Sequence, residues 1–169
     1  MKVQRNLFTL LLGAFVFLTG AFGVSAQKEL SIAEIQGDKG SSPVDGQTVR
    51  VSGIVTAILK RGFYIQTPDA KIDSNPNTSE GLYIYGEQSV GKVSLGDLVQ
   101  VDGTVIEFRP PRERIFLSIT EITRPTVSVV SKGNPLPAPI KLSAKELDPK
   151  GRPDQMERFE GMSVTGDFY

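Results

Sequence analysis

The most regular hydrophobic pattern in the chain lies in residues 49–59, where apolar side chains alternate with polar ones. Val51 and Val55 fall on one face of this run, while Ser52 falls on the other. A period of two residues is typical of a strand that buries one face. Gly53 lies on the apolar face. Because it has no side chain to pack, it predicts a bulge or sharp bend in this strand.

Four later runs show the same alternation, so the pattern predicts five strands in all. The later four cover residues 63–66, 82–85, 98–108 and 114–122. In the last of them, Ile115, Leu117 and Ile119 are expected to face the core. A long, bent first strand followed by a hairpin is typical of a five-stranded OB barrel.

Short helical turns and an extended C-terminal segment complete the predicted all-β fold. Ser31 and Glu34 have the spacing of a capping box, but Gly37 limits the helix that follows to about one turn. The apolar residues of this turn need a place to bury. The turn is therefore predicted to plug one end of the barrel.

Three tyrosines are predicted to lie on the outer face of the second and third strands. In residues 63–66 the alternation directs Tyr64 outward, and in residues 82–85 it directs Tyr83 and Tyr85 outward. The corresponding surface of an OB barrel binds oligonucleotides and oligosaccharides. The alternative interpretation is that tyrosine simply favours strands and has no binding role here.

Five basic residues lie on two loops that are expected to converge beside these tyrosines. The loop between strands 1 and 2 carries Lys60 and Arg61, and the loop between strands 4 and 5 carries Arg109, Arg112 and Arg114. Cations that follow phosphates, beside rings that stack on bases, are what a groove for single-stranded nucleic acid requires. Alternatively, these residues are basic only because turns are polar.

The loop between strands 2 and 3 is rich in oxygen ligands. Asp73, Asn75, Asn77 and Glu80 are the candidate ligands for a Ca²⁺ ion, which takes six to eight oxygens. Their spacing differs from that of an EF-hand, and the neighbouring Lys71 opposes a cation. A solvated turn stabilised by asparagine and aspartate side chains is the favoured alternative.

The N-terminal residues have the pattern of a secretory signal peptide. Lys2 and Arg5 precede a long uncharged apolar run, and Val24-Ser25-Ala26 supplies the small residues of a cleavage site. Cleavage near Ala26 predicts a secreted or periplasmic protein, with no membrane attachment after cleavage. A retained membrane anchor is the alternative, because the run is just long enough to span a bilayer.

The predicted mature chain of 143 residues is weakly acidic. The full sequence has 19 basic and 19 acidic residues, and loss of the first 26 residues removes two basic ones, which leaves a net charge of about −2. Nucleic-acid binding must therefore come from a local patch rather than from the whole surface. The sequence has no cysteine, which excludes disulfides and thiolate zinc sites.

The chain divides into three predicted parts. Residues 1–26 form the signal peptide, residues 27–130 the OB-fold domain, and residues 131–169 a C-terminal part. The C-terminal part is expected to contain a Pro-rich linker, short helices near Ser143 and Asp154, and the start of an incomplete second unit.

Five sequence blocks follow one another in a characteristic order, namely residues 42–49, 53–57, 62–66, 78–85 and 96–105. Together they resemble the OB-fold domain that precedes the catalytic domain in secreted bacterial nucleases of the endonuclease/exonuclease/phosphatase superfamily. Residues 157–162 resemble the segment that follows that domain. The resemblance implies an accessory nucleic-acid-binding module, with a nuclease domain downstream as its partner if the chain is a fragment.

The resemblance does not extend to the catalytic centre. That centre in the superfamily is a metal-dependent hydrolase site with paired histidines, and this chain contains no histidine. The chain itself is therefore not expected to be an enzyme, and no cofactor is expected apart from the candidate Ca²⁺. Two other functions stay open, namely a spacer or protein-docking module and an oligosaccharide-binding module.

Overall fold

The computed structural model describes residues 27–111 and 117–167, which form a small barrel and a C-terminal segment packed against it. The strands are β1 (Lys28–Glu29), β2 (Thr48–Leu59), β3 (Gly62–Gln66), β4 (Gly81–Tyr85), β5 (Leu98–Phe108), β6 (Ile119–Ser131), β7 (Ile140–Lys141) and β8 (Val164–Thr165). The helices are α1 (Ile32–Gln36) and α2 (Glu87–Val90), and single 3₁₀ turns cover Asp69–Lys71 and Glu157–Phe159. None of the described helices is long and apolar enough to cross a membrane.

Strands β2 to β6 close into a barrel with the topology of an OB fold. Their order is β2-β3-β4-β6-β5, and β2 also pairs with β5, which closes the sheet on itself. β4 and β6 run parallel, while the other pairs within the barrel are antiparallel. The predicted all-β, five-stranded OB barrel is thus confirmed.

Helix α1 covers one end of the barrel, as its sequence predicts. Both halves of the capping box are present, since the Glu34 backbone N–H donates to the Ser31 hydroxyl and the Glu34 carboxylate accepts from the Ser31 N–H. Ile32 and Ile35 are buried in the barrel core. Ser31 and Glu34 therefore fix where this short helix begins, while burial of its isoleucines holds it in place.

Gly53 has a different role from the one its pattern predicts. The register shift between β2 and β3 lies between Val55 and Ala57 rather than at Gly53. A Cβ atom at Gly53 would lie 3.0 Å from the Cβ of Ile65 and 3.2 Å from Cδ1 of Ile32. This glycine makes room for core isoleucines, and the strand bends two residues later.

The prediction for the fifth strand was wrong in both its limits and its faces. β6 begins at Ile119, where Leu117 and Ile119 are 36% and 38% exposed, whereas Thr120 and Ile122 are 2% and 0% exposed. Ile122 lies between its register partners Ile84 and Val105 on the two neighbouring strands, and all three side chains are buried. Thr120 is two residues before Ile122, so by alternation it also faces the core. Ile115, also predicted to be buried, lies outside the described residues.

Neither helix expected in the C-terminal part forms in full. The Ser143 N–H donates to the Glu146 carboxylate, which is one half of a capping box, but the Ser143 hydroxyl accepts from the Lys145 N–H instead of the Glu146 N–H, and only a turn follows. The second expected helix is reduced to the 3₁₀ turn Glu157–Phe159. β7 and β8 then pair in parallel as a separate two-stranded sheet.

Candidate binding face

The outer face of β3 and β4 carries the three predicted tyrosines in one continuous row. Tyr64 pairs directly with Tyr83 across the two strands, with ring centroids 4.8 Å apart and an interplanar angle of 41°. Tyr85 is two residues beyond Tyr83, and its ring centroid is 6.5 Å from that of Tyr83. We call Tyr64, Tyr83 and Tyr85 the tyrosine row.

Tyr85 is the most exposed member of the tyrosine row. Tyr85 is 41% exposed, whereas Tyr64 and Tyr83 are half-buried. Burial raises the pKa of both Tyr64 and Tyr83, and the nearby carboxylate of Glu121 raises both further. The ring surfaces open to a ligand are therefore those toward Tyr85.

Gly62 shapes the exposed end of the row. A Cβ atom on Gly62 would overlap the Ile84 carbonyl oxygen and lie 2.8 Å from the hydroxyl oxygen of Tyr83. The β4 backbone and the Tyr83 phenol therefore both lie close against the start of β3. Glycine at position 62 leaves room for them beside the β2–β3 turn.

The two basic loops lie at opposite ends of the tyrosine row. Lys60 and Arg61 form the exposed β2–β3 turn, next to the pair that Gly62 makes with Tyr85. Arg61 is close enough to Tyr83 to oppose the rise in the pKa of that phenol. Arg109 is exposed just after β5, whose last residue pairs with Ile119 at the start of β6.

The loops therefore flank the row rather than meet at one point. Arg112 and Arg114, the other two basic residues predicted for this surface, lie outside the described residues. Whether the five basic residues and three tyrosines bind a ligand stays a prediction.

Glu121 is a member of this face that the sequence interpretation missed. It is the register partner of Tyr83 in the parallel β4–β6 pair, so both side chains lie on the same outer face. Glu121 is only 6% exposed, and burial raises the pKa of its carboxyl group to about 7. No hydrogen bond from a described residue contributes to that shift. A desolvated carboxyl group therefore lies beside the tyrosine row.

The opposite end of the face is covered by residues 160–163, which we call the covering segment. The Ser79 hydroxyl donates to the Glu160 carbonyl oxygen at 2.6 Å, and the Ser163 N–H donates to Gln66 Oε1 at 2.9 Å. Gly161 packs directly on Gly81, and it lies close to the Tyr64 ring. The covering segment thus occupies the end of the face where β3 and β4 meet their long loop.

Two polar groups, Glu160 of the covering segment and Gln66 beneath it, are withdrawn from solvent at this contact. Glu160 accepts a hydrogen bond from the Thr120 N–H at 2.8 Å, but burial nevertheless raises the pKa of its carboxyl group to about 7. Gln66 is fully buried, and its Nε2 atom has no hydrogen-bond partner among the described residues. The alternation predicted Gln66 as a polar residue on the outer face, and the C-terminal residues bury it there.

The oxygen atoms of the candidate Ca²⁺ loop are engaged within the loop itself. Glu80 Oε1 accepts from the Asp73 N–H, Asp73 Oδ1 accepts from the Asn75 N–H, and Asn75 Oδ1 accepts from the Asn77 N–H. Within residues 27–111 and 117–167, no three His, Cys, Asp or Glu side chains are grouped to hold a metal ion. The geometry favours the solvated turn that the sequence offered as the alternative.

Comparison with known proteins finds likeness in structure alone. No protein-family profile matches the sequence, and no curated protein matches it. Among solved structures, the chain is similar to an OBody, AM3L15, bound to hen egg-white lysozyme, with 21% identity and a TM-score of 0.42. That match covers 68% of this chain and 98% of the OBody.

Aminoacyl-tRNA synthetases provide further structural matches. The aspartyl-tRNA synthetase from Entamoeba histolytica is 18% identical with a TM-score of 0.41, over 67% of this chain and 23% of the synthetase. The asparaginyl-tRNA synthetase from Pyrococcus horikoshii is 18% identical with a TM-score of 0.36, over 67% and 24%. The chain thus spans about a quarter of either synthetase, and the likeness concerns the fold.

Proposed function

We propose that this protein binds single-stranded or flexible nucleic acid on the tyrosine row. In this proposal it is the N-terminal accessory module of a secreted nuclease of the endonuclease/exonuclease/phosphatase superfamily. The observation that carries the binding role is the continuous row of three tyrosines on the outer face of β3 and β4. Bases of any sequence can stack on such rings, because every base has a π-face.

Charge on the face determines how a strand would lie. Arg61 and Lys60 at one end and Arg109 near the other are exposed cations that can follow phosphates. Glu121 repels phosphate when it is ionised, and it lies beside the middle of the row. A bound strand would therefore place its bases toward the tyrosines and Glu121. Its phosphate backbone would lie toward the basic residues at the two ends of the tyrosine row.

The nuclease and secretion parts of the proposal rest on the sequence. The ordered blocks between residues 42 and 162 resemble the accessory domain of those nucleases, and residues 1–26 have the signal-peptide pattern. The candidate partner is a nuclease domain downstream in the gene. A histidine-bearing catalytic domain encoded after Tyr169 would support this partner, and an unrelated domain there would contradict it.

The binding experiment is fluorescence anisotropy of a labelled oligonucleotide with residues 27–169, over a series of salt concentrations. Since one base–aromatic stack contributes about 1 to 3 kcal/mol, Tyr83→Ala should weaken binding roughly tenfold or more. Tyr83→Phe is the matched control, because it keeps the stacking ring and removes only the hydroxyl. If the protein does not bind at low salt, or if both variants bind like the parent, the proposed function is wrong.

Oligosaccharide binding is the second candidate, and Glu121 is the observation that favours it. A carboxylate beside aromatic rings can accept hydrogen bonds from sugar hydroxyls as well as from bases. The two candidates differ in their salt dependence, because only a phosphate ligand releases counterions. Binding of an oligosaccharide that requires Tyr83 and is indifferent to salt would select this second candidate.

A further inference from the structure

On the outer face of the barrel, the carboxyl group of Glu121 lies on the strand next to the tyrosine row. Across β3, β4, β6 and β5, the register partners are Tyr64, Tyr83, Glu121 and Ile106. Adjacent strands lie about 4.8 Å apart, so a base that stacks on Tyr83 has its edge within reach of the next strand. The residue at this register on β6 is Glu121.

The carboxyl group of Glu121 accepts no side-chain or backbone hydrogen bond from the described residues that affects its ionisation. The residue is only 6% exposed. An ionised carboxylate only accepts hydrogen bonds, and its two oxygens can accept from two parallel donors. A ligand that brings two adjacent N–H groups would therefore supply hydrogen bonds that no described residue is seen to give this carboxylate.

Among the common bases, guanine presents this arrangement on its Watson–Crick edge. Its N1–H and its N2 amino group are two neighbouring donors that face the same way. Cytosine and adenine each offer one exocyclic donor next to a ring acceptor, which an ionised carboxylate repels. Thymine and uracil offer one N–H between two carbonyl oxygens.

We infer that Glu121 selects guanine at the base position stacked on Tyr83. This inference rests on the proposed function, since it names the base preference of the same face. Single-stranded ligands are read by hydrogen bonds to their Watson–Crick edges in this way, while stacking supplies sequence-tolerant affinity. The tyrosine row thus holds any strand, and Glu121 prefers one base within it.

The preference depends on the ionisation of Glu121. The titratable groups around it are the phenols of Tyr64 and Tyr83, which stay neutral near pH 7, and the carboxyl group of Glu160, which accepts from the N–H of the adjacent Thr120 and also has a pKa raised to about 7. Its β5 partner Ile106 carries no charge. Burial raises the pKa of Glu121 to about 7. Because guanine requires the ionised form, its preference should increase as the pH rises from 6 to 8.

The test is a comparison of thymidine octamers with one central substitution, measured by anisotropy on residues 27–169 at pH 6 and pH 8. The substituted bases are guanine, adenine and inosine, the last of which keeps N1–H and lacks the amino group. A bidentate base contact typically discriminates by about tenfold or more. We expect guanine to bind about tenfold more tightly than adenine at pH 8, with inosine between them.

Glu121→Gln should bring the ratio of guanine to adenine affinity to about one, because the amide replaces one acceptor oxygen with a donor. The ratio of guanine to adenine affinity is compared within each protein, so a general change in affinity does not affect it. Glu29→Gln is the matched control. Glu29 lies on β1, away from the β2–β3 hairpin, so this variant should keep the guanine-to-adenine affinity ratio of the parent. Thermal unfolding of each variant verifies that it is folded.

The outcomes separate the two proposals. Equal binding of all octamers, or a guanine preference that survives in Glu121→Gln, overturns the role of Glu121 and leaves the nucleic-acid function standing. Absence of binding to any octamer at low salt overturns both. A guanine preference that is lost in Glu121→Gln and is weaker at pH 6 supports the inference.

Discussion

Gly81 of β4 and Gly161 of the covering segment are packed backbone to backbone. A Cβ atom at Gly81 would overlap the backbone of Gly161 and lie 2.5 Å from the Met162 nitrogen. The Gly81 carbonyl also accepts a hydrogen bond from the Gln36 side chain at 2.6 Å. Glycine at position 81 therefore allows the C-terminal residues to lie on the barrel.

The first prediction concerns this contact. Gly81→Ala should displace the covering segment, because the added methyl group would overlap backbone atoms of Gly161 and Met162, which cannot rotate away as a side chain can. We expect faster hydrogen exchange at Ser163 and faster proteolytic removal of the C-terminal residues, with the barrel still folded. Gly91→Ala is the matched control, since a Cβ atom there meets nothing within 4 Å. Equal protection of Ser163 in both variants would contradict the assigned contact.

The second prediction tests which residues of β4 and β6 form the core. Ile84→Ala should lower the free energy of unfolding by about 2 to 5 kcal/mol, because Ile84 is fully buried. Leu117→Ala should cost much less, since Leu117 is 36% exposed. Urea unfolding of the two variants measures the difference. A larger loss for Leu117→Ala would show that the faces near the start of β6 are assigned one residue out of register.

The third prediction concerns the pH dependence of stability. The pKa of Glu121 is raised in the folded state to about 7 from its usual 4.5, so the folded protein holds a proton that the unfolded chain releases. This stability is fully present below about pH 4.5 and is lost as the pH rises through about 7. Each pKa unit corresponds to about 1.4 kcal/mol, so the rise of about 2.5 units sets an upper limit of about 3.5 kcal/mol on this loss.

Glu121→Gln should remove this part of the pH dependence, because glutamine does not titrate. Urea unfolding at pH 5, 6, 7 and 8 should show the variant gaining stability relative to the parent as the pH rises. Glu160 has a pKa raised to about 7 in the same way, so some dependence should remain in the variant. Parallel curves for parent and variant would mean that Glu121 is not desolvated in solution.

The fourth prediction separates charge from stacking on the proposed binding face. Arg61→Ala should lower the affinity for every oligonucleotide alike and reduce the log–log salt slope by about 0.7 per lost phosphate contact. Lys28→Ala removes the same charge from β1, away from the hairpin, and should leave the slope unchanged. Equal slopes for the two variants would exclude Arg61 from the phosphate path.

The fifth prediction is that residues 27–169 do not cleave DNA or RNA with or without Mg²⁺ or Ca²⁺. The prediction follows from the absence of histidine from the whole sequence, which removes the acid–base and metal-binding residues that the resembled nucleases use. Plasmid nicking is the assay. Metal-dependent nicking that persists after thorough purification would contradict the accessory role.

Local alternation predicted the parts of the fold that depend on neighbouring residues. The β2–β3–β4 hairpins and the outward direction of Tyr64, Tyr83 and Tyr85 follow from the period of two within each strand. Alternation failed at the start of β6, where Leu117 and Ile119 are as apolar as the buried Ile122. There the pairing of β6 with two distant strands decides the face, and local pattern does not contain that information.

The desolvation of the Glu121 and Glu160 carboxyl groups was not predictable for a similar reason. Glu121 lies beside Tyr83 only because β4 and β6 run parallel, a pairing of residues 38 positions apart. Glu160 is desolvated only because the covering segment returns to the barrel. Charged residues in short sequence runs are ordinarily interpreted as exposed, since their burial depends on long-range contacts.

The covering segment also bears on the order in which the protein folds. Ser163 contacts Gln66 across 97 residues of chain, and Glu160 contacts Ser79 across 81, whereas the β2–β3 hairpin closes over two residues. Because long loops are slow to close, these contacts should form after the barrel's rate-limiting step. Strengthening them would therefore lengthen the lifetime of the folded state without accelerating its formation.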